Sequence, residues 1–133
     1  MRRLLLLVPL GLLVVACGSS GSKPFVPGKT ASCLRQHHFT VSTNQSKVSL
    51  VFQTAANGGL LATPPGGGNT LEIGFGTDAG DASKLMAGIR RVAPKALRPH
   101  LTDVMTSKRN AVVLWTVSPT PAQQQTVLGC LGS

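Results

Sequence analysis

Few side chains in this 133-residue chain could do chemistry: Cys17, Cys33 and Cys130; His37, His38 and His100; and the carboxylates Glu72, Asp78, Asp81 and Asp103. Two neighbouring carboxylates can act as general acid and base in hydrolysis. Asp78 and Asp81 are placed to cap a helix, so the pair left for that work is Glu72 with Asp103. Nothing around that pair suggests a nucleophile or an oxyanion site. His37 and His38 are adjacent and cannot share one helical face, and His100 follows a proline, so no spacing resembles a zinc site and no metal is expected. Gly74-Phe75-Gly76-Thr77-Asp78-Ala79-Gly80 sits where a dinucleotide fingerprint would, after a strand and opening a helix. Its last spacing is one residue too long, and glycines at a close strand–helix contact are the better reading. No cofactor is expected.

Cys17 stands in a different context. Arg2 and Arg3 precede a thirteen-residue apolar run, Leu4 to Ala16, which ends in Val14-Val15-Ala16-Cys17. At about 1.5 Å per residue the run reaches roughly 20 Å, short of the ~30 Å hydrocarbon core, and Pro9 and Gly11 interrupt it, so a membrane span is not the reading. A plain secretory signal ends in small residues at the cut; here a thiol follows it. The motif Val14 to Cys17 resembles the lipobox of bacterial lipoproteins. That resemblance implies cleavage before Cys17, a thioether-linked diacylglycerol on its sulfur, acylation of the new amino terminus and a place on the extracytoplasmic face of the cell membrane. Two acyl chains hold a protein there stably at ~0.8 kcal/mol per buried methylene.

With Cys17 lipidated, Cys33 and Cys130 remain, and an even pair in an exported protein reads as a disulfide. A loop of about a hundred residues closed in this way is worth roughly 4–5 kcal/mol in the chain-entropy model. A reactive Cys–His pair with His37 or His38 would need a thiol that stays reduced after export.

The elements that position these residues follow from patterning. Residues 1–16 read as the leader, 17–29 as a flexible Gly/Ser tether stiffened by Pro24 and Pro27, and 30–133 as a single domain. The net charge is +9, and without Arg2 and Arg3 there are 11 basic against 4 acidic residues, or +7. Aromatics are scarce, so the core must come from Leu, Val, Ile, Ala and Met. Thr30 can cap a helix over Ala31–His38, and Phe39–Ser42 alternate as a strand. Val48, Leu50 and Phe52 alternate too, which suits a strand, though a helical turn is the other reading. Leu60–Thr63 and Thr70–Gly76 form a hairpin across the Pro64-to-Asn69 loop. Asp78 caps a helix carrying Ala82, Leu85, Met86, Ile89 and Val92 on its inner stripe, ended by Pro94. Leu101–Thr106 and Asn110–Val117 make a second hairpin, its second strand apolar on both faces. Thr120-Pro121-Ala122-Gln123 is a capping box that opens the last helix.

This order implies an α+β fold, a mainly antiparallel sheet of four to five strands with helices packed on one face, in the manner of a circularly permuted ferredoxin-like sandwich. Such a fold decides no function. The leading expectation is a membrane-anchored binding or envelope-structural module without enzymatic activity. A small hydrolase using Glu72 and Asp103 is the second class. A polyanion-binding module drawing on Lys84, Arg90, Arg91, Lys95, Arg98, Lys108 and Arg109 is the third, with nucleic acid not expected as its partner outside a cell. Lys84, Arg90, Arg91, Lys95 and Arg98 gather on and beyond the outer face of the 78–92 helix, which is expected to turn toward anionic headgroups or wall polymers.

Overall fold

A computed structural model describes residues 22–132; the leader, Cys17 and the first residues of the tether lie outside them. The first helix, α1, covers Pro27–Gln36, and it starts inside the stretch expected to be tether. Proline supplies the fixed φ of the first helical position and has no N–H to leave unpaired there. Helical bonding therefore begins at Val26, whose carbonyl accepts from Thr30 N–H. Thr30 is no cap; it is buried within the helix.

Strand β1 is Thr40–Ser42. The alternation at Val48, Leu50 and Phe52 is not a strand: a 3-10 turn at Gln45–Lys47 leads into a short helix, α2, at Leu50–Gln53. Val48 and Phe52 are one helical turn apart and both buried, whereas Leu50 points out, 79% exposed. A strand would have buried all three. Strands β2 (Gly59–Thr63) and β3 (Leu71–Phe75) follow. Their connecting loop places Gly66, Gly67 and Gly68 at φ of 87°, 72° and 79°, a left-handed run that only glycine adopts without strain.

Helix α3 spans Ala79–Val92, with the Asp78 side chain accepting from Asp81 N–H. Ala82, Leu85 and Ile89 face inward as their spacing requires. Val92 does not; it is 66% exposed. Leu101–Val104, expected as strand, is a single helical turn, α4, before β4 at Met105–Lys108. Strand β5 is Ala111–Trp115, and α5 is Pro121–Cys130, opened by the expected reciprocal cap of Thr120 and Gln123.

The fold is α+β, with one five-stranded antiparallel sheet in the order β1-β2-β3-β5-β4. Its helices lie on both faces, not one. Leu60, Ala62, Leu71, Ile73, Ala111, Val113 and Trp115 pack under α1 and α5. Leu61, Val112 and Leu114 point the other way, toward α2, α3 and α4. The reason is β5, whose Ala-Val-Val-Leu-Trp run is apolar on both pleats and so needs cover twice. A ferredoxin-like sandwich keeps its helices on one face, so that specific arrangement does not hold. Cys33 on α1 and Cys130 on α5 are bonded, with their Cα atoms 5.4 Å apart.

Candidate functional site

The two helix layers cover the sheet unequally. On one face α1 and α5 run ten residues each and are stapled together. On the other, α2 and α4 are four residues each, and beyond the end of α3 they leave a groove of about 1060 Å³. Leu50 of α2, Val92 at the end of α3, Leu97, and Val117 after β5 all line it. They are 79%, 66%, 56% and 52% exposed, and with Val26 they make up the large exposed apolar side chains among the described residues. Leu114 and Val104 form the floor. Solvent-exposed apolar side chains scattered singly are ordinary, but four converging on one concavity make it the candidate site.

Polar groups stand at the rim: Arg91, and His100 with its Nδ1 3.9 Å from Asp103 Oδ2. Arg98 holds the groove's edge in shape. Its Nε donates to Ala93 O at 3.0 Å and its Nη2 to Arg91 O at 3.2 Å, satisfying carbonyls left open at the end of α3. Asn69 does the same for the far end of the sheet, donating to Val117 O and accepting from Val117 N–H and Thr70 N–H.

Asp103 borders the groove, but Glu72 is not among its lining residues. The Glu72 carboxylate accepts from Ser49 N–H at 2.7 Å and Ser49 Oγ at 2.6 Å, which fixes the start of α2. The expected acid–base pair is therefore not brought together in the groove. Lys84, Arg90, Arg91, Lys95 and Arg98 are all exposed, with Lys84 3.5 Å from Asp81. Cys33, His37 and Cys130 lie close, their candidate ligand atoms within 4.8 Å, but the two sulfurs are bonded to each other and offer no thiolate to a metal.

The opposite end of the sheet is closed by a different device. Asn110 donates to Phe25 O at 2.9 Å and Gly76 O at 2.7 Å and accepts from Phe25 N–H at 2.8 Å. Arg109 lies 4.4 Å over the Phe25 ring and donates to Lys23 O. Arg109 takes a φ of 53° at the β4–β5 turn, an unusual conformation for a residue with a Cβ, held by these contacts. So the segment Lys23–Phe25 is docked on the domain.

Sequence reasoning missed the groove because its wall is made by positions just outside each element's inner stripe. One signal was available: Val92 and Leu97 flank Pro94, where an apolar stripe should already have ended. Compared with known proteins, the chain matches no family model, no curated protein and no solved structure. Among the described residues no helix is long and apolar enough to cross a membrane.

Proposed function

We propose that this chain is a membrane-anchored extracytoplasmic lipoprotein whose domain is a non-enzymatic binding module, and that the groove takes the apolar chain of an amphiphile with an anionic head. The observation that carries this reading is the convergence of Leu50, Val92, Leu97 and Val117 on one concavity. Its volume lies at the top of the roughly 300–1,000 Å³ range of small-molecule sites, and its lining is apolar with a few polar groups at the mouth, as such sites are. At about 0.8 kcal/mol per buried methylene, ten methylenes offer about 8 kcal/mol before the cost of association. Arg91 at the rim, on a chain of net charge +7 once Arg2 and Arg3 are removed, favours a carboxylate or phosphate head over a cationic one, with Asp103 at the same rim lying 3.9 Å from His100. The anchor reading rests on the Val14–Cys17 motif.

Oleate titrated calorimetrically into the mature chain should bind saturably, methyl oleate should bind more weakly, and Val92→Asp with Leu97→Asp should abolish the oleate response. No saturable response to either lipid would reject the amphiphile. Intact mass of the membrane fraction checks the anchor: a diacylglyceryl group on Cys17 is expected, and an unmodified Cys17 would reject it.

A further inference from the structure

The groove and the point where the chain leaves toward Cys17 are at opposite ends of the sheet. Phe25 is bonded to Asn110, beside the β3 terminus at Phe75 and Gly76. Helix α3 starts at that same end, and its fourteen residues carry it about 21 Å away, to the groove beside Trp115–Ser118. Arg90, Arg91, Lys95 and Arg98 are therefore at the far end. Between Cys17 and the docked Lys23 only six peptide steps remain, at most about 20 Å of extended chain. If Cys17 is in the bilayer, the near end is the one held against it.

That near end carries cations of its own. Lys23, Lys29 and Arg109 surround a cavity of about 150 Å³. Lys108 stands just behind, donating to Leu128 O and lying 5.8 Å from the Phe25 ring. Among the described residues no carboxylate lines the cavity. Asp78 and Asp81, at the same end of α3, are engaged by the helix start and by Thr77. Val26, among the described residues the one large exposed apolar side chain away from the groove, also lines it. Three cations around a phosphate-sized hollow, with an exposed valine beside them, fit the boundary between headgroups and acyl chains.

We infer that the hollow bounded by Lys23, Lys29 and Arg109 is a binding site for the phosphate of an anionic membrane lipid, and that it fixes the domain with its groove pointing away from its own bilayer. The inference rests on the proposed Cys17 anchor for its orientation, and on the cation cluster alone for the site. The guanidinium of Arg109 is pre-oriented by its stacking on Phe25 and its bond to Lys23 O, so it pairs with a phosphate without first losing side-chain freedom. This assigns membrane contact to a different set of residues from the α3 cluster.

Lysine footprinting separates the two. The mature chain beginning at Cys17, prepared with and without the lipid, is mixed with phosphatidylcholine vesicles lacking or containing phosphatidylglycerol and treated with an amine-acetylating reagent. Lys23 and Lys29 should lose reactivity several-fold only when phosphatidylglycerol is present, while Lys84 and Lys95 keep theirs. Lys23→Gln with Lys29→Gln should weaken binding of the unlipidated chain to phosphatidylglycerol vesicles roughly 30-fold, at about 1 kcal/mol per basic residue. Arg90→Gln with Lys95→Gln should leave that binding within a factor of two. Protection of Lys84 and Lys95 instead, or of no lysine, overturns the site. Equal protection by inorganic phosphate without vesicles overturns the lipid as its source. A Cys17 that carries no lipid in cells defeats the anchor, while protection of Lys23 and Lys29 on the unlipidated chain would still uphold the site.

Discussion

Each end of the β3–β5 pair is held by a buried asparagine, yet the two ends do opposite things. Asn110 gathers the incoming chain, so that Phe25, Gly76 and the β4–β5 turn share one side chain. Asn69 ties only its neighbour Thr70 and Val117, and beyond it Leu50 of α2, Val92 of α3, Leu97 and Val117 are left facing solvent. At the first end backbone polar groups are paired and cations stand outside; at the second the polar groups are paired and apolar groups stand outside. A small core explains the asymmetry: with helices of only four residues at α2 and α4, one face of the sheet cannot be covered to its end.

The contrast is tested most severely through the staple. Cys33 and Cys130 close a loop with a sequence separation of 97, and Cys130 lines the cation-ringed hollow. Replacing both by serine should cost about 4–5 kcal/mol, a large part of the stability of a domain this size, and read as a fall in thermal midpoint that reductant does not deepen. A midpoint unchanged by the double replacement would show that α1 and α5 need no covalent tie.

A matched pair of substitutions compares the ends directly. Asn110→Ala leaves Phe25 N–H and Phe25 O without their partner and Gly76 O with Asn57 Nδ2 alone, and should cost about 2–3 kcal/mol in chemical denaturation while exposing the Lys23–Phe25 segment to protease. Asn69→Ala, less deeply buried, should cost about 1–2 kcal/mol and leave that segment protected. The reverse order would mean that the docked segment adds little to the fold.

Gly74 measures how tightly the less covered face is packed away from the groove. A Cβ there would meet Leu85 and lie 2.8 Å from Phe52 Cδ1, so Gly74→Ala should destabilise by about 1–3 kcal/mol. By contrast Leu97→Ser should stay within about 0.5 kcal/mol, because Leu97 is 56% exposed, yet weaken oleate binding. Loss of stability without loss of binding at Leu97 would make the groove wall structural.

The smallest effect concerns acid. The Asp81 carboxyl is held below its ordinary value of 3.8, first by the Thr77 hydroxyl and then by Thr77 N–H. A carboxylate with a lowered folded-state pKa adds stability that is complete above its unfolded value and is lost as pH falls through the folded one. The start of α3 should therefore loosen only below the ordinary 3.8, and Asp81→Asn should remove that part of the acid sensitivity. An acid profile unchanged by the substitution would mean that Thr77 holds the helix start unaided.

What the sequence determined by itself is local and covalent. Periodicity and capping residues set α3 and α5, glycines set the Gly66–Gly68 loop, two-sided apolarity set β5 as a covered strand, and cysteine parity set the Cys33–Cys130 bond. These follow from chemistry within a few residues, or, for the cysteines, from setting Cys17 aside as the expected lipid carrier, which leaves one pairing. Tertiary structure alone decided the rest. Leu50 reads the same whether its neighbours turn or extend, and only the Glu72–Ser49 contact and the burial of Val48 with Phe52 make that stretch a helix. Pro27 starts α1 early, and the segment before it docks because Asn110, eighty-five positions away, offers both a donor and an acceptor to Phe25. Helices went to both faces because the sheet needed cover on both, and the groove lies where that cover ran out. Which apolar residues are left over is a remainder of packing, and a remainder appears only when the whole core has been assembled.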